Sequence, residues 1–494
     1  MFAGVVIAIG RDHTAATTPA TDHRPNIVVI IADDLGYGET EAMGNTQIPT
    51  PAIQSLARDG VTCMSGYVTS SYCSPSRAGL MAGRYQSRFG YDHNPTGKRN
   101  LIPEAGLPES EMLFPAILAE AGYDTGLFGK WHLGTTDGKQ PIDRGFDRFY
   151  GFLHEGHFYV PPSDDVSAGR RTMYSGVLTM VRDRSIKSGQ RRRDGNLIRG
   201  NYAPVSEPAY DVDNPLLRND SNRSLIEINE PRYLTDAITD EAVEFMASAR
   251  ERPYLAVISY NAVHSPMQSK LAVASQFKTI EDIQRRIFAG MLMSLDEGVG
   301  RITKVARQFD KRETLIVFIS DNGGPTRELT SRNTPLRGEK GSLYEGGVRV
   351  PMIWSMPGRL PSGKRDHRVT LSLDIAATAL ELAGIPRPAT FDGHSIIGWM
   401  SDDNASSPHQ DVFWRMPRGK AALRSGRYKL VRPRKQALFE LYDLELDLTE
   451  STDIALREPD LLGRLVERWQ RFNSQMAPPI DLRSVDFDPV KAKR

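Results

Sequence analysis

At 494 residues the chain has room for about three domains of ~150 residues each, which excludes a peptide or a small disulfide scaffold. Hydrophobic residues make up 39%, and 62 basic against 61 acidic residues leave a formal net charge of +1. Disorder is thereby excluded as the main state, the charge balance gives no reason to expect a nucleic-acid partner, and two cysteines, Cys63 and Cys73, allow at most one disulfide.

The chain opens with an apolar run, Phe2 to Ile9, followed by Arg11 and a small-residue stretch, Ala15 to Ala20. Residues 1–24 read either as an N-terminal tail or as the remnant of a secretory signal whose basic leading segment is missing. The second reading sends the protein to the periplasm or out of the cell; the first leaves the cytoplasm open. No run approaches the ~18 apolar residues of a membrane span, so a transmembrane anchor is not expected.

Asn26 to Ala32 is a continuous, β-branched apolar run, as a strand covered on both faces would be. Thr125 to Phe128 follows a helix-like stretch, Glu111 to Ala121. Tyr254 to Tyr260 follows another, Asp236 to Arg250, and Thr314 to Ser320 a third, Ile280 to Phe309. Strands alternating with helices predict an α/β domain over 25–400, a mostly parallel sheet sandwiched by helices. After a polar linker, Ser401 to His409, come three short runs: Ala421 to Arg424, Tyr428 to Val431 and Leu438 to Tyr442. With a helix-like segment, Pro459 to Met476, they predict a smaller α+β domain over 410–480, an antiparallel sheet plus a helix.

Each of the four long runs ends in polar residues: Asp33-Asp34, then Lys130 and His132, then His264, then Asp321-Asn322. Ligands of open α/β sheets bind outside the carboxyl ends of the strands, and a buried strand has no structural need of such residues. Asp33, Asp34, Asp321 and Asn322 supply three carboxylates and one amide, hard oxygen donors that suit Ca²⁺ or Mg²⁺ rather than zinc. Either pair alone reads as a turn or a helix cap. Both together, each directly after a strong strand, favour a metal.

Cys73-Ser74-Pro75-Ser76-Arg77, continuing to Gly83-Arg84, is the most specific stretch. No partner cysteine gives it a zinc spacing, and out of context Cys73 reads as a buried inert thiol. In context it resembles the formylglycine-dependent sulfatases of the alkaline-phosphatase-like superfamily, arylsulfatase or N-acetylgalactosamine-4-sulfatase-like, whose signature is C-x-P-x-R followed by small residues and Gly-Arg. The resemblance runs on through Gly129-Lys130-Trp131-His132-Leu133-Gly134, Asp321-Asn322-Gly323-Gly324, Leu336 to Gly341, Glu345 to Pro351 and Leu441 to Leu444. So many spaced blocks in one order carry far more weight than a single motif.

The resemblance implies an alkaline-phosphatase-like domain that hydrolyses sulfate esters of a sulfated carbohydrate or an aryl sulfate. It implies that a separate maturation enzyme oxidises Cys73 to formylglycine. One hydroxyl of the hydrated aldehyde would attack sulfur, and the other would then expel sulfate. By motif match, Asp33, Asp34, Asp321, Asn322 and residue 73 hold Ca²⁺, with Mg²⁺ the less favoured ion. Arg77 orients residue 73, and Lys130 and Lys340 neutralise the sulfate oxygens. His132 is the base that eliminates sulfate, and His264 the acid for the leaving alcohol.

Two features depart from the pattern. Cys63 stands where relatives carry an apolar or aromatic residue and reads as a small core residue. Residues 160–215 form a long insertion with nine Lys/Arg between Gly169 and Arg199 against Asp183 and Asp194. It reads first as a solvated loop and second as a basic wall for an anionic polymer. His154 and His157, just before it, are candidates to line the substrate entrance. Two other functions stay open: a phosphodiester or phosphonate monoester hydrolase on the same fold, and an unmatured protein that binds sulfated glycans without hydrolysing them.

Overall fold

All seven residues of β1 (Asn26–Ala32) are buried, because the strand lies mid-sheet with helices on both faces. Alternation sorts its side chains. Val28, Ile30 and Ala32 enter one apolar layer with Ile258, Ile316 and Phe318. Ile27, Val29 and Ile31 enter the opposite layer with Val257, Leu315 and Val317. Helices Leu234–Ala247 and Ile283–Gln308 close the first layer. Helices Cys73–Ala82, Phe114–Glu120 and Asp374–Leu382 close the second, where Cys63 is also buried.

This computed structural model describes residues 22–160, 177–180, 214–248, 251–308, 312–480 and 482. Residues 1–21 of the tail expected over 1–24, and all nine basic residues of the insertion, lie outside the described residues. Among the described residues no helix is long and apolar enough to cross a membrane.

The next strands are β2 (Val61–Tyr67), β3 (Asp124–Lys130), β4 (Arg148–Phe152), β5 (Val177–Met180), β6 (Leu217–Asn219) and β7 (Leu225–Glu227). They are followed by β8 (Tyr254–Ser259), β9 (Met267–Lys270), β10 (Thr314–Ser320), β11 (Met352–Ser355) and β12 (Lys364–Leu371). Ten of them build one sheet in the order β12-β2-β11-β10-β1-β8-β3-β4-β6-β7, and β5 pairs with β9. The centre from β10 to β4 is parallel, as the apolar runs predict. Antiparallel pairs involve β11 on one side and β6 and β7 at the far edge.

Register then positions the site. Ala32 lies opposite Ser320, Ile31 opposite Ser259, and Gly129 opposite Ser259. Parallel strands that end level place Asp33 and Asp321, which follow β1 and β10, and Lys130, which ends β3, in one row across the rim.

Beyond the large sheet, β13 (Asp411–Met416), β14 (Lys420–Ser425), β15 (Tyr428–Arg432) and β16 (Glu440–Asp443) form an antiparallel meander. Helix Pro459–Ser474 lays Leu465 and Trp469 on it, the Trp469 ring stacked 5.7 Å from Phe413. An ionic node joins this unit to the large domain. Lys429 on β15 is fully buried, its Nζ 2.6 Å from Glu345 Oε1 and 3.6 Å from Glu450 Oε1. Glu345 also faces Arg349 at 3.1 Å and accepts the Tyr67 hydroxyl at 2.6 Å. Burial pushes the Glu450 carboxyl up to about 7 against the pull of Lys429. At Glu345 burial is outweighed by Lys429 and Arg349, which hold it at about 2, so Glu345 carries the charge. Lys429→Met leaves buried acids short of a cation and is expected to cost about 3–5 kcal/mol of stability. A denaturation midpoint equal to that of the wild type would show that the node contributes nothing.

Candidate active site

Cys73 is the first residue of helix Cys73–Ala82, with Pro75 in the first turn, where a missing N–H costs nothing. Arg77 lies four residues on and therefore on the same helix face. Its guanidinium runs beneath the strand ends. Nε donates to Asp321 Oδ2 at 2.8 Å, one Nη donates to the Lys130 carbonyl at 3.2 Å, and the other lies 4.0 Å from Asp33 Oδ2. Lys130 ends β3 and places Nζ 2.7 Å from Asp33 Oδ2. Lys340, from the loop after β10, places Nζ 2.7 Å from Asp34 Oδ1 and 3.2 Å from Cys73 Sγ. The thiol lies 3.5 Å from Asp33 Oδ1 and 3.9 Å from Asp34 Oδ1. One oxygen each from Asp33, Asp34 and Asp321, together with Cys73 Sγ, fall within 4.8 Å of one another.

The donor set fits a hard divalent cation. Asn322 Nδ2 is used, donating to Asp34 Oδ1 at 2.7 Å and to the Gly323 carbonyl at 3.0 Å. Its Oδ1 is buried without a hydrogen-bond partner. A buried acceptor with no protein donor, beside three carboxylates, suits a metal ion.

Buried charges here are balanced in kind: three carboxylates face Arg77, Lys130 and Lys340. Burial and the neighbouring Asp33 push Asp321 up to about 6, against Arg77. At Asp34 burial is outweighed by Lys340 and His264, which hold it at about 2. Burial drives the Cys73 thiol far above its ordinary value despite Lys130 and Lys340. The encoded side chain is thus a protonated thiol at neutral pH, not a nucleophile.

Backbone carbonyls fix both histidine tautomers, since a carbonyl can only accept. His264 Nδ1 lies 2.6 Å from the Ser265 carbonyl, leaving Nε2 toward the site, 3.7 Å from Asp34 Oδ2. His132 Nε2 lies 2.8 Å from the Pro95 carbonyl, leaving Nδ1 buried and without a partner. Burial lowers His264 to about 4 although Asp34 opposes it. Burial and Lys130 take His132 well below its ordinary value, so its ring is neutral with the Nδ1 lone pair bare.

Three supporting residues escaped the sequence reading. Ser259, the last residue of β8, accepts from Arg77 and donates to the Lys130 carbonyl at 2.6 Å; a hydroxyl closing an apolar strand was its only signal. Asn94 accepts the Ser74 N–H at 3.0 Å, capping the helix that carries Cys73. The buried Tyr159 hydroxyl lies 2.8 Å from the Asn261 carbonyl and 2.9 Å from that of His264, pinning the loop that holds this histidine. His157 lines a cleft of about 340 Å³ with Glu230 and Arg232, whereas His154 is buried and does not line it. Cys63 and Cys73 are both free.

Comparison with known proteins gives the family. The Sulfatase family model matches residues 25–385, and that of the N-sulphoglucosamine sulphohydrolase C-terminal region matches 338–461. Human arylsulfatase A is 32% identical over 423 residues, covering 82% of this chain and 74% of that protein. Mouse N-acetylgalactosamine-6-sulfatase is 27% identical over 417 residues, covering 82% and 71%. The structure of Ps i-CgsB in complex with k-i-k-neocarrahexaose superposes with a TM-score of 0.77 at 31% identity, over 92% of this chain and 94% of that one. The phosphonate monoester hydrolase of Agrobacterium radiobacter shares the fold alone, with a TM-score of 0.60 at 19% identity over 92% and 96%. The chain belongs to the sulfatase family and is a sulfuric ester hydrolase.

Proposed function

We propose that the chain removes sulfate from sulfated sugars, with Cys73 matured to formylglycine and Ca²⁺ held by Asp33, Asp34, Asp321, Asn322 and residue 73. One observation carries this reading: the Lys340 ammonium, 3.2 Å from Cys73 Sγ, meets the carboxylate cluster there. A cation-accepting set of oxygens and an anion-accepting lysine converge on a single side chain. Support for a sugar substrate comes from two relatives, one named N-acetylgalactosamine-6-sulfatase and one solved with a neocarrahexaose. The modification requires a formylglycine-generating enzyme as partner. The apolar and small-residue segment before residue 24 supports export to the periplasm or beyond; a protein still starting at Met1 in the cytoplasmic fraction would contradict that.

When bound, Ca²⁺ supplies charge that offsets the three carboxylates and polarises a sulfate oxygen. The hydrated aldehyde supplies an oxygen nucleophile where the thiol is inert. Everything else falls to side chains of this chain. Lys130 and Lys340 neutralise the sulfate oxygens, and Arg77 holds Asp321 beside Asp33. His132, neutral and with Nδ1 bare, accepts a proton. His264, whose Nδ1–H is held by the Ser265 carbonyl, donates a proton to the leaving alcohol from Nε2 as the imidazolium, the charged form that Asp34 Oδ2 at 3.7 Å favours.

His264→Ala is expected to cost a sugar sulfate ~10²–10⁴-fold in kcat/KM, the usual range for a general acid. An aryl sulfate, whose phenolate leaves unaided, is expected to lose clearly less. Equal losses on both substrates would make His264 a structural residue.

The substrate class is tested by sulfate release from a panel of defined sulfated mono- and disaccharides, with an aryl sulfate and an aryl phosphodiester alongside. At least one sugar is expected to be desulfated. Faster turnover of the phosphodiester than of any sulfate ester, or sugar binding without release, would overturn the reading.

A further inference from the structure

The β13–β14 hairpin is tied to the rim that carries residue 73. Met416 pairs with Lys420, closing a three-residue turn, Pro417-Arg418-Gly419. Lys420 Nζ donates to the Gly341 carbonyl, and the Ser71 hydroxyl lies 3.0 Å from Met416 Sδ. Gly341 directly follows Lys340, and Ser71 stands two residues before Cys73. The two anchors are themselves joined, because the Gly341 N–H donates to the Ser71 carbonyl at 3.0 Å. The turn is thus fastened to both segments that bring Lys340 and Cys73 together.

At its tip Arg418 is exposed and has φ 63. Glycine or asparagine adopts this left-handed conformation with less strain, so turn formation alone gives no reason for an arginine. Charge gives one. Arg432 Nε donates to the Gly419 carbonyl at 3.0 Å, and a Cβ on Gly419 would meet the Lys435 Cα and the base of its stem, so both residues pack against the turn. Among the described residues, Arg418, Lys420, Arg432 and Lys435 have no ion-pair partner, whereas Arg415, Arg427 and Arg468 of the same unit do; the Arg432 guanidinium lies over the Phe439 and Trp469 rings. Positive charge left unpaired and anchored beside a pocket that hydrolyses anions attracts more than the reacting sulfate.

We propose that Arg418 is a specificity residue that takes a second oxyanion, sulfate or carboxylate, on an oligosaccharide extending beyond the reacting sulfate, with Lys420 and Lys435 reinforcing the field. The planar guanidinium suits either group as a bidentate partner. This deepens the sulfatase reading and rests on it, since the second oxyanion must belong to a molecule held in the Cys73 pocket.

Calorimetric titration of wild type and Arg418→Asn with a short dextran sulfate oligomer and a short polygalacturonate oligomer tests it, with inorganic sulfate as the ligand that needs only the pocket. Asparagine tolerates the left-handed turn, so the variant is expected to melt at or above the wild-type temperature. The proposal expects the dissociation constant of at least one oligomer to rise about tenfold or more, as for one lost charge-assisted pair. It expects that of inorganic sulfate to change far less. A rise with dextran sulfate alone assigns the second group as sulfate, and a rise with polygalacturonate alone as carboxylate. Unchanged constants for both oligomers, or equal weakening for all three ligands, would overturn the proposal. Hydrolysis of 4-nitrophenyl sulfate by the wild type is scored separately, so that failure of the sulfatase reading is told apart from failure of this one.

Discussion

Cys73→Ala is expected to abolish sulfate-ester turnover, by roughly four to six orders of magnitude as for the loss of a covalent nucleophile. The fold is expected to survive. The side chain faces Asp33, Asp34 and Lys340 rather than an apolar layer, so its removal opens no hydrophobic cavity. Cys73→Ser is the sharper variant. Serine offers one hydroxyl where a hydrated aldehyde offers two, so it can consume at most one equivalent of substrate per enzyme before stopping. Steady turnover by the alanine variant, measured as free sulfate against time, would remove residue 73 from the chemistry.

Asp321→Ala is expected to reduce activity by more than ~100-fold, the upper range for losing a group that merely supports a metal ligand. Two effects add. The oxygen cluster loses a carboxylate, and Arg77 loses its 2.8 Å partner while remaining buried. Chelation of the wild type is expected to give a comparable loss, because the oxygen cluster then lacks the ion that would polarise a sulfate oxygen, and added Ca²⁺ is expected to restore it. Elemental analysis beside the assay decides the point: full activity in a metal-free preparation would contradict the assigned role of the cluster.

What was legible in the sequence follows from burial. The strands β1, β8 and β10 are covered on both faces and read as unbroken apolar runs. The polar residues that end them stand out for the same reason. β12 was not legible: as an edge strand it keeps Lys364, Arg365 and Arg368 toward solvent or ion pairs, and its composition resembles a loop. β13 fell just past the stretch read as a linker, and the helix expected from Glu111 begins only at Phe114, with Pro115 in its first turn. Site residues that carry charge were found because charge at a strand end is anomalous. Asn94, Tyr159 and Ser259 act through hydrogen bonds to partners 20, 105 and 182 residues away, and no local pattern encodes such pairing.

Whether residue 73 works as formylglycine is decided by mass spectrometry of the peptide containing it, from enzyme purified out of its own host. The aldehyde is expected in place of the thiol, with sulfatase activity that rises in proportion to the aldehyde fraction across preparations. Full turnover by protein whose residue 73 is an unmodified thiol throughout would contradict it.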